Sequence, residues 1–255
     1  MAIRDRIRNF FGLSFELART GFILRNEGTY LGLFWYLLSP ILLFLLLFWV
    51  FKDRLGGDIA YYALYLLLGI IMFNFFQGVT SDSTRIMRDY SGIIKSINFS
   101  RWTLVGGIVL RNLFSHFFEF LLFAIIFVYL KGSVFILIYY IPVFFMFVLF
   151  TFGASLLLSS ISVFFADLDN IWNFFIRLLW LATPIFYEIG GQDRLFFFNI
   201  FNPLYYFLSL ARDSIIYAHL SEAYILAGAL VFTVLSSMLG FGIFYKYKNK
   251  IAERI

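Results

Sequence analysis

From Gly132 to Ala166 the chain runs 35 residues without one acidic or basic side chain. Wound as an α-helix, that stretch would be about 52 Å long, against roughly 30 Å for the hydrocarbon core of a bilayer. It must tilt, kink near Pro142 or continue past the lipid. No water-soluble globule of 255 residues has room for such a run. Composition points the same way, with 62% apolar and 14% charged residues and a mean hydropathy of +0.88. Such a surface in water would be one continuous apolar patch. A soluble enzyme, a disordered chain and a disulfide scaffold are all excluded. The chain is expected to be an all-α membrane protein.

Runs with few charges place the spans at 31–51, 59–81, 102–130, 134–165, 170–187 and 222–245, six in all within a single transmembrane domain. One apolar stretch is left over, Leu195–Ala211, interrupted by Asn199, Asn202 and Pro203. A proline beside two amides would strand backbone groups in lipid unless protein or water met them. The expectation is a re-entrant pair of short helices at 195–216. The alternative is a seventh span, which would put the chain ends on opposite sides.

Basic residues weigh on that choice. With six spans and both termini inside, the cytoplasmic segments hold thirteen Lys and Arg and the outer loops hold five: Lys52, Arg54, Lys131, Arg194 and Arg212. The bias favours cytoplasmic termini. At 1–30, Arg4, Arg6 and Arg8 alternate with Ile3, Ile7, Phe10 and Phe11, with Leu17 and Ala18 beyond. This reads either as a helix lying flat at the headgroup level among the membrane lipids or as a basic flank that only sets orientation. No short apolar core with a small-residue cleavage site follows the charged start.

Chemistry is sparse. There are no cysteines, and the two histidines, His116 and His219, lie far apart. No G-x-x-x-x-G-K-[ST] occurs, so no ATP is expected to bind here through a P-loop. Asp167 and Asp169 stand at a span boundary, where Asp167 or Asn170 would cap the next helix. Arg111, His116, Glu119 and Arg177 fall inside spans, where ionisable side chains are costly and often functional. Arg111 could snorkel to the interface, and the others could pair within the bundle. In the loop 82–101, Ile93, Ile94 and Ile97 would form an apolar strip that needs a cover, either the chain itself or a partner. Finally, 23% of residues are aromatic, with 37 Phe, 16 Tyr and 5 Trp. Tyr61, Tyr62, Tyr139 and Tyr140 suit an interface belt. The surplus offers flat ring faces for sugar stacking or simply replaces Leu as lipid filler.

Several segments, read in order, resemble the membrane subunit of type-2 ABC exporters. They are closest to the polysaccharide branch of O-antigen (Wzm-type) and teichoic-acid exporter permeases. The segments are Gly28-Thr29-Tyr30-Leu31-Gly32-Leu33-Phe34-Trp35 with Pro40 and Val50-Phe51; Ile93-Ile94-Lys95 to Phe99 with Leu104; Asp167-Leu168 then Thr183-Pro184-Ile185-Phe186-Tyr187; and Asn202-Pro203-Leu204-Tyr205-Tyr206 then Ala211-Arg212-Asp213. Ser100 stands where many relatives carry Pro, and Ala166 where Arg is frequent. The resemblance implies a permease that moves a lipid-linked polysaccharide outward across the inner membrane. It implies a homodimer of six-helix subunits, each docked to a separate ATPase subunit that holds ATP and Mg. Nucleic acid has no part in it. Ile93, Ile94, Lys95, Ile97 and Phe99 would then couple to the ATPase. Tyr36, Trp172, Phe175 and Trp180 would line the polymer path, and Asn202, Pro203, Tyr205 and Tyr206 would form an outer gate. Two rival readings stay open: export of small hydrophobic drugs or lipids, and an ion-coupled carrier or membrane enzyme built on the intramembrane ionisable residues.

Overall fold

A helix that is apolar all round must be covered by protein or by lipid, and the stretch 64–73 of the helix Tyr62–Ser83 is covered by protein. Leu64, Leu66, Leu67, Leu68, Ile70, Ile71 and Met72 within it are wholly shielded. The computed structural model describes residues 3–26, 34–57, 59–96, 99–190 and 192–254. Every regular element among them is helical: α1 (Ile3–Asn26), α2 (Trp35–Leu55), α3 (Tyr62–Ser83), α4 (Ile86–Asp89), α5 (Ser91–Ser96), α6 (Trp102–Lys131), α7 (Tyr140–Ile161), α8 (Leu168–Ala182), α9 (Asp193–Ile200), α10 (Pro203–Ala211) and α11 (Ala223–Arg254). A 3-10 turn, Phe135–Tyr139, leads into α7, and a π-helical turn, Arg212–Tyr217, follows α10. The central α3 packs against α2, α6, α7, α8 and α10.

Four stretches among the described residues are long and apolar enough to cross a membrane: Tyr62–Ser83, Trp102–Lys131, Phe135–Ile161 and Ala223–Tyr247. The long uncharged run resolves accordingly. Its helix proper has 22 residues, about 33 Å. Pro142 falls in the first turn of α7, just after the 3-10 turn, where proline is tolerated. The stretch expected at 170–187 differs more. Helix α8 has 15 residues and stops at Ala182, because Thr183 precedes Pro184 and adopts an extended backbone, φ −81° and ψ 136°. Thr183–Tyr187 continues as irregular chain.

Between helices in lipid, close contact replaces the hydrophobic drive, and small residues permit it. Helices α7 and α11 make the tightest crossing. A Cβ on Gly240 would lie 2.1 Å from the Gly153 carbonyl oxygen, and one on Gly153 would lie 2.6 Å from the Ser236 backbone. Ser236 Oγ donates to the Phe150 carbonyl across this contact at 3.0 Å. Helix α1 lies along α6, with Phe10 stacked on Trp102 at 4.5 Å and Ser14 Oγ donating to the Thr103 carbonyl.

Much of the aromatic surplus goes into the bundle interior. Phe73, Phe123, Phe127, Phe147 and Phe207 are fully buried. Phe207 of α10 meets Phe147 and Phe150 of α7 at centroid distances of 5.2 and 5.0 Å, and Phe75 of α3 meets Phe144 at 5.1 Å. The expected belt is split. Tyr61 and Tyr139 are exposed, whereas Tyr62 and Tyr140 turn inward, where their hydroxyls have partners.

Candidate functional site

The segment between α3 and α6 folds as two short helices. Ile86 and Met87 of α4 are buried, as is Ile94 of α5, while Ile93 and Lys95 are exposed. Phe99 is half-buried against the core; Ile97 lies outside the described residues. The expected apolar strip is therefore divided: the bundle itself covers Ile94, and Ile93 remains open.

Beneath this segment lies a polar network. Arg111 of α6 donates through Nη2 to Asp82 Oδ2, close to the end of α3. Arg111 is thus paired with a carboxylate. Asn112 Nδ2 stands 3.4 Å from the same oxygen. Thr84 Oγ1 donates to Asp169 Oδ1 of α8 at 2.8 Å, and Arg85 lies 3.7 Å from both Asp82 and Asp169. Arg88 Nη1 donates to the Ala166 carbonyl at 2.7 Å. Asp167 occupies the N-cap position of α8, but its side chain makes no capping bond. Asp169, in the first turn, makes the contact that matters.

His116 and Glu119 sit in the α6–α7 packing. His116 Nε2 pairs with the Tyr140 hydroxyl at 2.9 Å, its ring stacks on Phe144 at 4.2 Å, and Nδ1 is 4.0 Å from Glu119. Arg177 is exposed on α8. Of the expected path residues, Trp180 packs edge-on against Phe73 at 4.8 Å. Trp172 is half-buried beside Phe175, with Phe76 beyond. Phe175 faces outward, on an exposed apolar stripe with Ile171, Phe174, Leu178 and Leu181. Tyr36 is in the first turn of α2, its side chain outside the described residues. Among the described residues, no group of three or more His, Asp or Glu could hold a metal ion.

At the other end of α8, irregular backbone is gathered into protein. Pro184 and Ile185 are buried. Arg212 Nη1 donates to the Pro184 carbonyl at 2.7 Å, and Nη2 donates to the Ile185 and Tyr65 carbonyls at 3.1 and 3.2 Å. The guanidinium also lies 3.3 Å from the Tyr65 ring centroid. Tyr62 Oη donates to Phe186 and Tyr65 Oη to Tyr187, both at 2.8 Å. Gly69 opens the space, since a Cβ there would sit 2.8 Å from Arg212 Nη2. Arg212 is therefore a buried organiser, not the free outer-loop cation its sequence position suggested.

Of the four expected gate residues, Asn202 reaches this cluster. Asn202 caps α10, its Oδ1 accepting from Leu204 N at 3.1 Å while Nδ2 donates to Thr183 Oγ1 at 2.9 Å. Pro203 occupies the first turn, where it is well suited. Tyr206 Oη donates to the Ile200 carbonyl and Tyr205 Oη meets Tyr224 Oη at 3.4 Å. Sequence reasoning missed Arg212, Tyr62, Tyr65 and Thr183 as members of this cluster. The available signal was Arg212 itself, a cation followed by Asp213 at the end of the apolar stretch Leu195–Ala211.

An all-helical bundle with four stretches long and apolar enough to cross a membrane among the described residues is that of an integral membrane protein. The ABC-2 type transporter family matches residues 15–216, and the chain belongs to that family. It is similar to the O-antigen export system permease protein RfbA of Klebsiella pneumoniae, 27% identical over 235 residues, covering 90% of this chain and 89% of that protein. A second Klebsiella pneumoniae protein of the same name is 27% identical over 236 residues with the same coverage. The RfbA permease of Myxococcus xanthus is 22% identical over 185 residues, or 72% of this chain and 71% of its own length. Membership implies an ATP-hydrolysing partner subunit and dimerisation.

Proposed function

We propose that this chain is the permease subunit of an ATP-driven exporter, moving a lipid-linked polysaccharide outward across the inner membrane. The observation that carries this is collinear similarity to O-antigen export permeases along nine-tenths of both chains. In this reading α2, α3, α6, α7, α8 with Thr183–Tyr187, and α11 make six spans, and both termini are cytoplasmic. Helix α1 lies at the interface against α6, and α9 with α10 forms the outer gate. Two copies enclose the polymer path, with Tyr36, Trp172, Phe175 and Trp180 contributing to its lining. The exposed apolar stripe of α8 is consistent with that use.

No chemistry occurs in the chain. ATP and Mg bind in the partner, which docks on the segment from Ile93 to Phe99 and biases the dimer between two states. The test is co-expression with the candidate ATPase subunit and purification through a tag on this chain. A stoichiometric ATPase, with surface polysaccharide restored in a permease-null strain, is the expected result. A chain that purifies without an ATPase and restores nothing contradicts the proposal.

A further inference from the structure

Within helix α8 only Ile176 is fully buried, with Trp172 and Trp180 half-buried against Phe76 and Phe73 of α3. Its polar anchors lie at its two ends, with Arg212 and two tyrosines holding the chain after Ala182 and Thr84 bonding Asp169 in the first turn. A helix anchored in this way moves with whatever holds its ends.

At the Asp169 end the anchor is the segment that carries α4 and α5. Two contacts of different chemistry make the connection. The Thr84 hydroxyl, fully buried, donates to Asp169 Oδ1 at 2.8 Å. That carboxylate also favours the positive N-terminal end of α8. Separately, the Arg88 guanidinium spans two elements, with Nη1 donating to the Ala166 carbonyl at 2.7 Å and Nη2 reaching the Thr84 carbonyl at 3.5 Å. The fork geometry of arginine suits this double reach, which a lysine ammonium cannot reproduce. Ile86, Met87 and Ile94 are buried, so α4 and α5 are seated in the bundle while Ile93 and Lys95 face outward. A force on the exposed side of α5 therefore meets a seated unit whose polar contacts lead to α8.

We propose that Arg88 and Asp169 are positioning residues that tie the α4–α5 segment to the start of α8, so that displacement of α5 by the ATPase partner is delivered to α8. The inference rests on the functional reading above for its partner and cargo. Ala166 takes part only through its carbonyl, so the tie depends on backbone position there and not on side-chain identity.

The test uses the permease–ATPase complex in proteoliposomes, measuring polysaccharide exported per ATP hydrolysed. In Arg88→Ala, Asp169→Asn and Thr84→Val, that ratio falls about tenfold, the size of a typical coupling between sites. Co-purification of the ATPase and its basal hydrolysis stay at the parent level. Arg88→Lys recovers only part of the ratio. The chain has no cysteine, so Arg88→Cys with Ala166→Cys can be bridged by a short, cleavable bismaleimide reagent. Bridging restores coupling, and cleavage abolishes it again. Because a misfolded variant cannot be rescued by a bridge, this arm separates lost folding from a lost tie. Variants that stay fully coupled, or a bridged pair as inactive as the unbridged one, overturn the proposal. If the parent complex itself exports no polysaccharide, the functional reading fails and takes the tie with it; a working parent with coupled variants defeats the tie alone.

Discussion

A guanidinium taken out of water needs acceptors, and the two terminal nitrogens of Arg212 find them in the carbonyls of Tyr65, Pro184 and Ile185. Removing it leaves three buried carbonyls short of a charged donor, each worth about 1–3 kcal/mol. Arg212→Met should lower stability by roughly 3 kcal/mol, and Arg212→Lys should recover part of it, since a single ammonium nitrogen cannot occupy the places of both Nη1 and Nη2. Thermal unfolding of the detergent-solubilised protein checks this; an unchanged melting temperature in Arg212→Met would falsify the assignment. Asn202 shows what is legible at this scale and Arg212 what is not. The Asn202 cap is local, with Pro203 and Leu204 beside it, and its turn chemistry can be read from the sequence. The partners of Arg212 lie 28 and 147 positions away, so its sequence neighbours give its charge but not its acceptors.

Among the elements, uncharged length was the legible quantity. The expected runs 59–81, 102–130, 134–165 and 222–245 overlap α3, α6, α7 and α11, since apolar length follows what lipid tolerates. It failed at α8, where the run of apolar residues continued past Ala182 but Pro184 had already ended the helix. It also failed to divide α5, since periodicity cannot say that Ile94 faces the bundle and Ile93 does not. That division makes a prediction. Ile93→Asp should leave membrane insertion and melting unchanged while weakening co-purification of the ATPase. Ile94→Asp should cost about 3 kcal/mol or more through an unpaired buried charge and reduce the amount of folded protein. Equal behaviour of the two variants in both assays would reject the inside–outside assignment. The α7–α11 crossing is similarly exposed to test. Gly240→Leu must push the helices apart, and a melting temperature within a degree or so of the parent would show that the backbones do not touch.

For the molecule as a whole, the two ends of the bundle have distinct work. In the proposed function one end would present α5 to the ATPase partner, above the network of Asp82, Thr84, Arg88, Arg111 and Asp169. The other gathers Thr183–Tyr187 beneath α10 through Arg212 and Asn202. Helix α8 connects them, and under the proposed function its outward apolar stripe is the surface through which a change at one end would reach the polymer path. The membrane class and the absence of a P-loop were plain from composition and motif, whereas the aromatic surplus was not interpretable without the fold, because ring faces that would suit a sugar serve equally well in packing on one another. Central to all of this is a chain that supplies the route while another subunit supplies the energy. Reconstitution into liposomes of defined orientation, with and without the ATPase subunit, measures that most directly. Polysaccharide movement that requires the ATPase and hydrolysable ATP is the predicted result; uphill movement by this chain alone would contradict it.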